Sequence, residues 1–96
     1  MIDRKFKLLA VNPFTGKMYT QENAFIMCAK DAAVPYAVEA YLRACQRLGA
    51  NRGHVQSVGL MLDRIKTFQE AQCKVPDTLG DELVHTLGLK VVGDFT

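Results

Sequence analysis

The sequence predicts an α+β fold: an N-terminal β-hairpin, then an antiparallel helical hairpin, then a short C-terminal tail of helix and strand. Three observations predict it. An extended run near the N-terminus is broken by Pro and Gly and then resumes. Two later stretches carry apolar residues at helical spacing. The link between those stretches is so short that the second helix must fold back on the first. The whole reads as one small domain, with 1–30 as hairpin and extended segment, 31–72 as helical hairpin and 73–96 as tail.

In Lys5–Val11, Phe6, Leu8 and Ala10 alternate as one face of a strand would. Asn12-Pro13-Phe14-Thr15-Gly16 stops it, because Pro presets φ and lacks a donor while Gly tolerates positive φ. Lys17–Thr20 then resumes the extended pattern as the second strand. Ala24–Ala29 is apolar throughout and too short for an ordinary helix, so it reads as a buried strand or extended segment.

Asp31 reads as the cap of the first helix, and Pro35 falls in its first turn, where a missing N–H costs nothing. Val34, Val38, Tyr41, Leu42, Cys45 and Leu48 form one stripe, with Glu39, Arg43, Gln46 and Arg47 opposite. Glu39 and Arg43 have the favourable i,i+4 order. Eighteen residues, from Asp31 to Leu48, would span ~27 Å, and Gly49 supplies the stop. Asn51 can cap a second helix whose stripe is Val55, Val58, Leu62, Ile65 and Gln69, widened by Met61 and Phe68. Asp63, Arg64, Lys66 and Thr67 face away. Gly59, in the middle of that helix, suits a close approach of two backbones. Beyond Val75-Pro76, Asp77 can cap a short helix through Leu79, Leu83 and Leu87, followed by strand character at Leu89–Val92.

Composition narrows the classes of function. Twelve basic residues are nearly cancelled by ten acidic ones, for a net charge of +2. That is too weak to imply nucleic acid or an anionic membrane. Cys28, Cys45 and Cys73 are odd in number and far apart, so buried or partly buried thiols in a reducing compartment are expected, not disulfides. The N-terminus has no signal-peptide pattern, and no stretch approaches the ~20 apolar residues that span a bilayer. A cytoplasmic protein is expected. Its few elements leave apolar faces poorly covered, so self-association into a homo-oligomer is expected too.

The residue pattern points away from catalysis. His54 and His85 lie far apart and neither sits near a Cys at ligand spacing, so no metal is expected. Carboxylates are scattered, no Cys–His pair is evident, and Gly16-Lys17 lacks the rest of a phosphate loop. A non-enzymatic protein without cofactor follows. One candidate ligand cluster is Asn12, Lys17, Tyr19, Lys30 and Tyr36. Tyrosines stack on a base, and Lys30 precedes a helix N-terminus, where free amides favour an anion. Surface lysines and helix-edge packing tyrosines are the plain alternative. A second candidate, Arg43, Arg47 and Arg52 at the helical bend, would meet phosphates or a protein partner, or simply form a solvated face.

Glu22–Asp31, Val34-Pro35, Tyr41, Cys45 and Leu48-Gly49 resemble small accessory proteins of tailed bacteriophages. The resemblance covers about half the chain and carries no motif for a chemistry. It implies a phage context, and with it the host cell cytoplasm. Phage proteins of this size often counter host defence by blocking a defence protein or by sequestering a signalling nucleotide. The expectations are therefore an oligomeric sponge for a nucleotide-like anion, a protein–protein inhibitor or adaptor using the helical hairpin, or, against the charge balance, a nucleic-acid binder.

Overall fold

The structure, a computed structural model, describes residues 1–79 and 82. The element order is β1 (Leu9–Val11), β2 (Met18–Thr20), α1 (Val34–Arg47) and α2 (Arg52–Ala71). The chain divides into two compact units, one holding Met1–Ile26 with the chain from Asp77, the other Met27–Pro76. Of the expected tail helix from Asp77 to Leu87, Asp77–Leu79 are described and are not helical; most of the rest, with His85, and the strand Leu89–Val92 lie outside the described residues.

In the first unit β1 and β2 pair antiparallel, Leu9 facing Thr20, Ala10 facing Tyr19 and Val11 facing Met18. The Asn12 side chain builds the turn: its Oδ1 accepts from the amides of Phe14 (2.9 Å) and Thr15 (3.2 Å). Gly16 closes it at φ +73°, a value that favours glycine. β1 is shorter than the expected Lys5–Val11 strand, and the cause is Asp3. This carboxylate is buried, and its Oδ1 accepts from the amides of Lys5 and Phe6 at 2.8 Å each. Those amides bend into a turn and leave the ladder. Its Oδ2 accepts from the Ile26 amide at 3.0 Å, so Ile26 pairs with a side chain and not with a strand. Ala24–Ala29 is accordingly neither strand nor buried: Phe25, Ile26 and Met27 are exposed.

The second unit is the helical hairpin. α1 starts later than expected and runs 14 residues. Asp31 is not its cap; Ala33 occupies that position without a side-chain bond. The Asp31 carboxylate instead accepts from the Ala33 amide at 2.8 Å, in a turn before the helix. Asp31 also forms a parallel bridge with Lys74, in which Ala32 N–H donates to the Lys74 carbonyl (2.9 Å) and Lys74 N–H to the Lys30 carbonyl (2.8 Å). The backbone there is committed to this bridge and cannot also wind into a helix. Gln69, the polar member of the α2 stripe, fastens the same segment: its amide nitrogen donates to the carbonyls of Ala29 (2.9 Å) and Asp31 (2.7 Å).

α1 ends as its sequence directs. Gly49 sits at φ +76°, its N–H bonds to the Gln46 carbonyl, and Ala50 N–H reaches back to that of Cys45. This pair of bonds satisfies carbonyls that the helix end would otherwise leave open. The Asn51 side chain then caps α2 by accepting from the His54 amide at 2.8 Å. Val34, Val38, Val58 and Leu62 are the buried cluster between the helices, with Leu42 and Ile65 half-buried against it. Cys45 is buried, whereas Tyr41 and Leu48 of the expected stripe are exposed. Leu48 follows the last helical residue, so no facing turn of α2 covers it. Cys28 is half-buried, within the expectation of buried or partly buried thiols, whereas Cys73 is exposed, contrary to it.

Two further expectations are corrected. Glu39 forms its ion pair with Lys66 of α2, at 3.4 Å, and not along its own helix with Arg43. Lys66 therefore does not simply face away. Both partners are largely exposed, so the pair contributes ~0–1 kcal/mol. At Gly59 a β-carbon would meet no atom within 4 Å, so there is no close backbone approach. Gly59→Ala is then expected to stabilise the protein by about 0.5–1 kcal/mol, the helix-propensity difference. A urea titration reads this directly, and a loss of stability would show that the position needs glycine for another reason.

Candidate functional site

The fold distributes the sequence-predicted ligand residues over both units. Asn12, Lys17 and Tyr19 belong to the β-hairpin unit, Lys30 and Tyr36 to the helical unit. The Asn12 side chain is committed to its turn. Lys17 and Tyr19 are exposed at the loop and on β2, Lys30 is exposed before α1, and Tyr36 is exposed in its first turn. A cleft of about 290 Å³ in the hairpin unit is lined by Ile2, Asp3, Arg4, Lys5, Phe6, Phe25 and Ile26, none of the five. Arg43, Arg47 and Arg52 are all exposed about the bend. Arg47 lies in the last turn of α1, where a cation meets the negative end of the helix dipole.

A different set of residues comes together along one edge of the helical hairpin. Tyr41 Oη lies 3.2 Å from His54 Nε2. The two rings meet edge to face, with centroids 6.1 Å apart and planes at 78°. One turn further along α1 lies Cys45. Its side chain, first as a hydrogen-bonding neighbour and then through the charge it would carry, holds Tyr41 above the usual tyrosine range, with desolvation adding last. The folded chain thus holds the phenol proton more tightly than the unfolded chain. Stability falls as pH rises past the ordinary tyrosine value of about 10. A spectrophotometric titration is expected to show a late-ionising tyrosine that moves back to the ordinary range in Cys45→Ala and disappears in Tyr41→Phe.

His54, Met61 and Phe68 are spaced seven apart on α2, which stacks them on one face. Tyr41 exposes 50% of its surface, Phe68 44% and Met61 39%. The Glu39–Lys66 pair fastens the other edge, so this row is the uncovered side of the hairpin. The sequence carries a signal for the Tyr41–His54 contact. An antiparallel pair turning at Leu48 places residues equally far from the turn opposite one another, as Val38 and Val58 are within the core.

Among the described residues no group of three or more His, Cys, Asp or Glu is placed to hold a metal ion. Among the same residues no helix is long and apolar enough to cross a membrane. Comparison with known protein families, with curated proteins and with solved structures finds no match to this chain.

Proposed function

We propose that this chain is a non-enzymatic binding protein, an inhibitor or adaptor that presents the Tyr41–Met61–Phe68 edge of its helical hairpin to another protein. The observation that carries this reading is the exposed row itself. Two large apolar side chains, two turns apart on α2, and a tyrosine on α1 stand exposed on two helices that already bury a separate core. Aromatic and Met side chains are the residue types enriched at the centres of protein interfaces. The Tyr41–His54 contact holds the ring in place before a partner arrives, which lowers the ordering cost of binding. In the phage context implied by the resemblance, a host defence protein is the partner class to test first.

Met61→Glu with Phe68→Glu is the test, because both side chains are exposed enough for the fold to tolerate a charge. The wild-type chain is expected to retain a specific host protein and the double variant to bind it at least tenfold more weakly, with an unchanged circular-dichroism spectrum. Equal retention by both proteins would overturn the reading. So would a rise of several degrees in Tm with a nucleotide, which would support nucleotide capture instead.

A further inference from the structure

The outer edge of β1 offers a second interaction surface, one defined by backbone chemistry. Asn12 N–H donates to the Lys17 carbonyl at 2.9 Å, and the register pairs Ala10 with Tyr19. Antiparallel ladders alternate, so the N–H and C=O groups of Leu9 and Val11 point outward on β1, and those of Met18 and Thr20 point outward on β2. The two edges differ. On β2, Thr20 is closed by its own chain: its N–H donates to the Asn23 side chain, and its carbonyl accepts from the amides of Asn23 and Ala24. On β1, no described residue takes the outward groups of Leu9 or Val11. These two residues are 66% and 54% exposed, and Met18 on the same face is exposed as well.

We propose that this edge pairs with β1 of a second copy of the chain, antiparallel and centred on Ala10, to make a four-stranded sheet. The edge is self-complementary about that residue. Leu9 would exchange both backbone bonds with Val11 of the second copy, and Val11 both with its Leu9, giving four hydrogen bonds. The next outward position, Pro13, has no N–H and ends the ladder. In this register Lys7 faces Pro13 of the second copy, so no like charges oppose each other. Leu9, Val11 and Met18 of both copies would then share one continuous face. The contact is two-fold and closes on itself, giving a dimer without further growth. It does not depend on the helical edge proposed above.

The test is a charge pattern that reads the register. By light scattering, the wild-type protein is expected at twice the chain mass. Leu9→Lys with Val11→Lys places two lysines opposite each other at both ends of the pairing, and the mass should fall to that of one chain. Leu9→Glu with Val11→Lys places acid opposite base, and the doubled mass should return. In the wild-type protein the Leu9 and Val11 amides should exchange with deuterium more slowly at high concentration than at low. A wild-type protein of single-chain mass, a doubled mass that survives the lysine pair, or no recovery with the Glu/Lys pattern would each overturn the proposal. Slow Leu9 and Val11 exchange at single-chain mass would assign the edge to a segment of the same chain, and overturns it too.

Discussion

Leu62→Ala is expected to destabilise the protein by about 2–5 kcal/mol. Leu62 is one of four buried residues that form the cluster between the helices. Removing its isobutyl group loses the transfer free energy of the buried carbons and leaves a cavity that two helices cannot fully close. The core is thin, with no described side chain completely removed from solvent, so little other packing can take up the loss. A chain of this length has a total stability of roughly 5–15 kcal/mol, of which the loss is a large share. Leu60→Ala, on the exposed side of the same helix, is the control and should change stability by less than about 0.5 kcal/mol. Urea denaturation followed by helical signal compares the two. Equal effects would mean that the cluster is not what joins the helices.

The second large effect is expected at Asp3, where Ala should cost about 2–4 kcal/mol. One carboxylate accepts three backbone N–H groups, those of Lys5, Phe6 and Ile26. Hydrogen bonds to a charged acceptor are stronger than neutral ones, and their loss leaves part-buried donors without a partner. Asp3→Asn keeps one acceptor oxygen for Lys5 and Phe6 but turns an NH₂ toward the Ile26 amide, so a smaller loss is expected. Because the three donors lie in the hairpin unit, the effect should appear first as faster amide exchange at Lys5, Phe6 and Ile26. Unchanged exchange at those amides in Asp3→Ala would remove Asp3 as the organiser of this unit.

The helical hairpin was legible because it is written locally. A 3.6-residue stripe, a glycine stop at Gly49 and an asparagine cap at Asn51 each act within a turn or two of chain. Asp31 looked like an equally good cap, and its carboxylate does bind a nearby amide. The bridge to Lys74, more than forty residues away, moved the helix start, and no local rule registers such a competitor. Asp3 was one scattered carboxylate among ten until Ile26 came within reach. The expected Tyr and Lys cluster rested on residue types near one another in sequence, and the fold sends them to separate units. In the sequence Tyr41 is one member of the α1 stripe, and His54 is a histidine with no ligand partner at suitable spacing. Their contact depends on the register of two helices, which periodicity alone does not fix.

The Asp31–Lys74 bridge has a practical consequence for engineering. It sets the beginning and end of the Met27–Pro76 segment side by side, so the helical pair leaves and rejoins the chain at neighbouring points. Such a segment has the topology of a cassette. Grafted into an exposed loop of an unrelated carrier, it would need only a narrow gap between the host's cut ends.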